Sequence, residues 1–373
     1  VSAPLVATYR LTLAAGEDPE TRARHLAREQ TVECPEGIAP AAEARALGAV
    51  ERVEDLGDGR YRVAVAYPLA ATGGELTQLL NVLWGNVSLW SGVRLEEVEW
   101  PAELLARFRG PALGAAGLRS LCRAEPGRPL LATALKPLGS TVRELARRAA
   151  DCARGGVDLI KDDHGLADQE WAPFRERVLA CAGEVARANR ATGGSTLYVP
   201  NLTGPADRLG ERIETLVEAG CRAALVAPLL VGLDSVRALA DSSRLALVAH
   251  PAFAGSFAAP ERGIAPALLF GDLFRLAGAD AVVFPNAAGR FPFTVDDCLA
   301  IERRLTARLG ALAPSFLMLG GGIDAARLES WIPLYGPDTI YLIGGSLYAR
   351  AAVVEGAAEL AALVRRVRPR RAT

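Results

Sequence analysis

The chain has 373 residues, half of them hydrophobic, with 42 Lys plus Arg against 43 Asp plus Glu and a net charge of −1. That length suits two domains, or one large barrel with an appendage, and the apolar share is enough for a large core. The near-zero charge gives no bias toward nucleic acid or a membrane surface, and no apolar run reaches the ~18 residues of a spanning helix. Val1-Ser2-Ala3-Pro4 shows no basic segment followed by an apolar stretch, so no secretory signal is expected. The six cysteines (Cys34, Cys122, Cys152, Cys181, Cys221, Cys298) have no CxxC or metal-type spacing, which fits reduced thiols in a cytoplasmic protein.

In chain order, residues 5–13 alternate like a strand and 19–29 form a charged helix. Residues 47–56 and 60–69 read as two strands, with Gly57-Asp58-Gly59 as the turn between them. A helix over 73–84 and a strand over 91–99 complete β-α-β-β-α-β, the ferredoxin-like arrangement. We therefore expect a ferredoxin-like α+β N-terminal domain over 1–115, its last part leading into the second domain. From there apolar runs of strand length recur at 130–135, 157–160, 196–200, 223–230, 245–249, 281–285, 315–319 and 339–343. Segments with helical spacing separate them. Eight alternating units in roughly 250 residues predict a closed (β/α)8 TIM barrel over 116–373. An open doubly wound sheet usually carries a Gly-rich turn after its first strand, and Lys136-Pro137-Leu138-Gly139 is not one.

Catalytic groups of such barrels project from the C-terminal ends of the strands. Those ends read Lys136, Lys161-Asp162-Asp163-His164, Asn201, Pro228, His250, Asn286, Gly320-Gly321-Gly322 and Gly344-Gly345-Ser346. Lys136 and Lys161 are the chain's two lysines, and His164 and His250 are two of its three histidines. Every other basic side chain is Arg, which stays charged; only a Lys amine can be neutralised by its surroundings and react. The glycine clusters after strands seven and eight, Gly321-Gly322 and Gly344-Gly345, suit a phosphate held on backbone N–H groups.

Alternate residues of a strand share a face, so Lys161 and Asp163 point together into the barrel mouth and Asp162 points elsewhere. The two either form a salt bridge, or a neutral Lys161 adds CO2 to become a carbamate. Carbamate plus Asp163 would offer two hard oxygen ligands to Mg2+, a metal that polarises a carbonyl and stabilises an enolate. CO2 addition requires the amine pKa to fall from its ordinary ~10.4.

Gly155-Gly156-Val157-Asp158 running into Lys161-Asp162-Asp163 resembles the metal-binding segment of the ribulose-bisphosphate carboxylase (RuBisCO) large subunit. Leu135-Lys136-Pro137 resembles its strand-one loop, Gly85-Asn86-Val87 its N-domain motif, and Glu29-Gln30-Thr31 its segment with the catalytic glutamate. Gly321-Gly322 and Gly344-Gly345 resemble its phosphate turns. The resemblance spans nearly the whole chain, and its departures fall on carboxylation. His164 stands where the carboxylases have glutamate, Leu138 where they have a second lysine, and Pro251 where they have a phosphate-binding arginine. Phe284-Pro285-Asn286 replaces the strand-six histidine, and Arg290 is nearest to the missing mobile-loop lysine.

The pattern is that of the RuBisCO-like, non-carboxylating branch (form IV). It implies metal-assisted enolisation or isomerisation of a phosphorylated sugar or sugar acid by a cytoplasmic homodimer or higher homo-oligomer. The alternatives are a transcarboxylase, hydrolase or decarboxylase of a branched sugar acid phosphate, and a metal-free barrel that uses Lys136 alone or only binds ligand. The resemblance assigns Lys136 as general base or acid and His250 as a hydrogen-bond partner of the substrate. Glu29 and Asn86 would reach the site from a neighbouring subunit. Lys161 as carbamate, Asp163 and His164 are the expected metal ligands, for Mg2+ or, because nitrogen suits transition metals better, another divalent metal. His164 could instead carry protons or be a hydrogen-bonded rim histidine. Phosphate falls to Gly321, Gly322, Gly344, Gly345 and Arg290, and His25 is expected in solvent.

Overall fold

Alternation of apolar and polar residues builds the first sheet. β1 (Leu5–Thr12), β2 (Ala49–Gly57), β3 (Arg60–Tyr67) and β4 (Val93–Glu99) lie in the order β4-β1-β3-β2, all antiparallel. That is the ferredoxin-like order. β1 is buried along nearly its whole length because it is central, whereas the edge strand β2 is polar. The β2–β3 turn places Gly57, Asp58 and Gly59 at φ values of 80°, 55° and 70°, a left-handed run that glycine and aspartate tolerate. The helices Pro19–Glu29 and Leu76–Trp84 are joined by Gln30, whose amide donates to Asn81 O and Val82 O and accepts from Val87 N. A further helix, Pro40–Ala46, is not foreshadowed by the sequence pattern; it buries no residue and so carries no amphipathic stripe.

The computed structural model describes residues 3–287, 289, 291–348 and 352–369. The chain divides into two units: one runs to Arg109 and takes in Phe253–Leu269 and Leu309–Ala311, and the other comprises Gly110–Ala252, Phe270–Arg308 and Leu312 onward. In the first unit the two-residue strand β10 (Gly263–Ile264) adds to β4 in parallel.

The second unit is a (β/α)8 barrel of eight parallel strands. They are β5 (Leu130–Leu135), β6 (Leu159–Asp162), β7 (Leu197–Val199), β8 (Ala223–Val226), β9 (Ala246–Ala249), β11 (Ala281–Pro285), β12 (Phe316–Gly320) and β13 (Thr339–Ile343). β13 pairs with β5, so the last strand returns to the first. β7 and β8 meet through Leu225, which donates to Pro200 O and accepts from Leu202 N. The eight observed strands fall on the eight apolar runs, with boundaries shifted by up to a few residues. Among the described residues no helix is long and apolar enough to cross a membrane.

Every second strand residue fills the barrel. Leu130, Ala132 and Ala134 share the interior with Leu159, Val199, Ala246, Val248, Phe316, Met318, Ile340 and Leu342. Counting on by two from these residues reaches Lys136, Lys161, His250, Gly320 and Gly344. The scarce residues are therefore the top layer of the interior, above a packed floor of aliphatic side chains.

Gly155, between helix Val142–Arg154 and β6, is present for space: an added Cβ would lie 2.4 Å from Ala357 Cβ and 2.8 Å from Val354 O. Gly183, exposed inside helix Phe174–Thr192, has nothing within 4 Å of that position. Gly155→Ala is expected to cost about 1–3 kcal/mol by overpacking, and Gly183→Ala to stabilise by about 0.5–1 kcal/mol through helix propensity. Urea unfolding midpoints of the two variants should move in opposite directions.

Candidate active site

At the C-terminal ends of β5, β6 and β9, Lys136, Lys161, Asp163, His164 and His250 converge. Asp163 is their hub. Its carboxylate pairs with Lys136 Nζ, takes His164 Nδ1 at 3.1 Å and accepts Gly165 N at 3.2 Å. These bonds and the Lys161 charge hold its carboxyl far below the usual carboxylate range, although burial opposes them. The ion pair at Asp163 is thus made by Lys136 on the adjacent strand; the Lys161 amine donates instead to the Asp162 carbonyl at 2.9 Å. Lys161 is almost completely buried, and burial brings its pKa down from 10.5 to about 8, against the pull of Asp163.

His250 lies mostly out of solvent, and its ring stacks on that of His164 with centroids 4.1 Å apart. Its Nδ1 accepts from Ala252 N at 3.1 Å, which leaves the proton of the neutral ring on Nε2. Burial first, then the charges of Lys161 and its neighbours, pushes the imidazole down to about 2. His250 is therefore a neutral hydrogen-bond donor.

Asp162 faces outward, as strand parity requires. It is fully buried, pairs with the equally buried Arg177 at 3.2 Å, and accepts from Tyr198 Oη at 2.7 Å and Asn201 N at 3.0 Å. The Asn201 amide then donates to His164 O and Leu166 O, and Arg177 to Ala167 O and Ala172 O. This network clamps the loop that presents Asp163 and His164. The sequence reading gave no role to Arg177, Tyr198 or Asn201. Asn201 at a strand end and the unmatched charge of Asp162 were the available signals, whereas the burial of Arg177 in a charged helix had none.

Of the glycines expected to hold a phosphate, Gly321 and Gly322 adopt φ values of 94° and 66°, and the space beside Gly321 is open. A Cβ on Gly344 would lie 3.9 Å from Lys136 Cε, so the β13 turn runs beside the Lys136 side chain. Gly345 opens the short helix Gly345–Tyr348. Leu138 is 54% exposed and overhangs the Asp163–Gly165 turn. Asn286 faces out of the barrel toward the Tyr335 hydroxyl. Arg290 lies outside the described residues. In the first unit, Asn86 Nδ2 donates to Glu29 Oε1 at 3.0 Å, so those two residues form a pair, and His25 is exposed.

The described residues contain no ready group of three or more His, Cys, Asp or Glu side chains able to hold a metal. Asp163 and His164 supply two donors. A third has to be made, and a buried Lys161 amine with a lowered pKa is the group at hand for CO2 addition. The residues fit a divalent metal on that condition.

A (β/α)8 barrel with two lysines in its top layer, in one chain with a ferredoxin-like unit, defines the class. Residues 118–291 match the family described as ribulose bisphosphate carboxylase large chain, catalytic domain, and residues 2–104 its N-terminal domain. The chain is 43% identical over 364 residues to a 5-methylthioribulose-1-phosphate isomerase of Rhodospirillum rubrum, covering 96% of each. It is 35% identical over 311 residues to a 2,3-diketo-5-methylthiopentyl-1-phosphate enolase of Geobacillus kaustophilus, covering 81% of this chain and 75% of that one. The crystal structure of a Rubisco-like protein from Rhodopseudomonas palustris superposes with a TM-score of 0.89 at 41% identity, covering 98% of each chain. The chain belongs to the RuBisCO large-chain family, among its RuBisCO-like proteins.

The depressed His250 pKa has a consequence for stability. Unfolded His250 takes up a proton as the pH falls through its ordinary 6.5, and the folded residue does not. Its contribution is therefore complete above pH 6.5 and is lost as the pH falls toward 2. In urea titrations at successive pH values, His250→Asn should lose stability less steeply than the unaltered protein below about pH 6.

Proposed function

We propose that the protein is a RuBisCO-like enzyme that moves a proton at a carbon beside the carbonyl of a phosphorylated sugar, and that it does not fix CO2 on ribulose bisphosphate. The observation that carries this reading is the joint placement of Lys136, Lys161 and His250 on one inner layer around Asp163. The residues that carboxylases use for CO2 addition and the second phosphate are here Leu138 and Pro251. The names borne by the R. rubrum and G. kaustophilus relatives support a methylthio-substituted five-carbon sugar phosphate as substrate, with isomerisation favoured by the higher identity. The apolar surface of Leu138 beside the site suits such a group.

In this reading Lys136, released from Asp163 and having given its own proton to solvent, takes the proton from the substrate carbon as a free amine and returns it to the neighbouring one. Neutral His250 donates from Nε2 to a substrate oxygen, which fixes the orientation of the reacting carbons. Backbone N–H groups at Gly321, Gly322, Gly344 and Gly345, with Arg290, take the phosphate. Asp163, His164 and a carbamate on Lys161 would hold a divalent metal, Mg2+ or another. Such a metal would supply positive charge to polarise the carbonyl. Glu29 and Asn86 are assigned to a second copy of the chain, which makes a homodimer the smallest active species.

A metal-free barrel is the second reading. It is favoured by one observation: Asp163 already has Lys136 as its cation. Metal analysis of the protein with and without bicarbonate separates the two.

Lys136 and Lys161 should be separable by substitution. Lys136→Arg is expected to leave metal binding nearly intact and to lower turnover by ~10²–10⁴-fold. Lys161→Arg should abolish metal binding and proton exchange together. Isotopically labelled CO2 should give a carbamate carbon signal in the unaltered chain and none in Lys161→Arg. Turnover without any such signal at saturating bicarbonate and metal would remove the carbamate from this reading.

The assignment of Glu29 and Asn86 is tested by mixing. A Glu29→Gln chain and a Lys136→Arg chain, each inactive alone, should regain activity when co-assembled, toward about a quarter of the unaltered level on statistical mixing of subunits, because half the dimers are mixed and each has one intact site. No recovery in a verified mixed dimer would mean that both residues act within one chain.

A further inference from the structure

The two lysines stand at the C-terminal ends of β5 and β6; a second concavity lies where β5, β6 and β7 begin. It encloses about 660 Å³, within the range of metabolite sites. Its walls are the 123–129 approach to β5, the Gly155-Gly156 turn into β6, the Gly193-Gly194 turn into β7, and the C-terminal helix Val353–Arg366 with its extension to Pro369. It is thus at the opposite end of the barrel from Lys136 and Lys161.

Five arginines line it. Arg128 is spent on Asp158, bidentate at 2.9 and 2.8 Å, and Arg154 on Asp151 at 2.9 Å. Arg123, Arg365 and Arg368 have no carboxylate partner among the described residues; Arg365 reaches only Gly156 O, at 3.3 Å. Some exposed arginines elsewhere on this unit do find one, as Arg175 does with Glu218 and Arg187 with Glu184. Glu125 is the one lining carboxylate besides Asp158.

The remaining polar wall is committed to itself. Ser195 Oγ donates to Cys122 O, Thr196 Oγ1 to Val157 O, and Asn189 holds Thr196 through both its amide groups. Asp158 also accepts from Leu131 N, which fixes the floor. The free capacity facing the cavity is therefore cationic and donating. The wall offers no nucleophile, because Cys122 is buried and burial raises its thiol well out of the thiolate range. Gly193, at φ 70°, and Gly156, at φ 79°, keep both turns free of side chains.

We propose that this cavity is a binding site, separate from the reactive one, for a small phosphorylated molecule with two or more negative charges. Guanidinium groups match phosphate oxygens in pairs, and three of them outweigh the single Glu125.

The test uses pyrophosphate as probe and calorimetric titration of the full chain. The unaltered protein should bind it with an affinity that falls as salt rises. Arg123→Gln combined with Arg368→Gln should weaken binding by at least about tenfold and leave turnover unchanged, because neither residue belongs to the reactive rim. Arg365→Lys keeps the charge and loses the paired donors; it disturbs the fold least and should give an intermediate affinity. Absence of millimolar binding by the unaltered chain would overturn the proposal. So would variants that bind pyrophosphate as the unaltered chain does, since the probe would then occupy the glycine turns of the reactive rim. Both failures leave the enolisation reading untouched.

Discussion

One carboxylate serving two amines at the end of a closed barrel is the constraint on which this protein turns. Lys136 and Lys161 occupy neighbouring strands on the same inner layer, and Asp163 is the acid within their reach. Asp163 pairs with Lys136. Lys161 is left with a carbonyl oxygen and almost no water, so its ammonium form is disfavoured. Two residues of the same type thereby acquire different surroundings: one is paired with a carboxylate, and the other is buried without one, which lowers its pKa to about 8. Their environments, and not their identities, make the difference.

That division depends on the outward face of the same strand. If Asp162 were free to turn inward, Lys161 would gain a second carboxylate and its charge would be restored. Arg177, Tyr198 and Asn201 prevent this by engaging Asp162 from the helix layer and from β7. Breaking a buried pair of this kind is costly, because the surviving charge is stranded. The same network holds the backbone at His164 and Leu166, so the arrangement of the reactive side chains follows from packing one layer away.

His250 belongs to the same logic. A protonated imidazole between two lysines would add a third positive charge to a site with one acid. Burial and the lysine field keep it neutral, and Ala252 N selects its tautomer. The layer then presents an ion-paired amine, a buried amine with its pKa lowered to about 8 and a neutral donor around one anion. Such a set is suited to proton movement on an anionic substrate.

Much of this was legible in the chain itself. Eight apolar runs separated by helical spacing specify the barrel, and the alternation within them specifies which residues face inward, because strand parity is a local property. The scarcity of lysine and histidine then picks out Lys136, Lys161 and His250, and counting by two puts them on one layer. The first sheet was legible for the same reason, down to the Gly57-Asp58-Gly59 turn. Three things were not. That Asp163 pairs with Lys136 depends on the distance between adjacent strands, which no local pattern encodes. The burial of Arg177 depends on a helix docking over β6; its sequence, rich in charge, reads as a solvated face. The arginine-lined cavity at the far end brings together segments from residues 123 to 369, and only the closing of the barrel makes them neighbours.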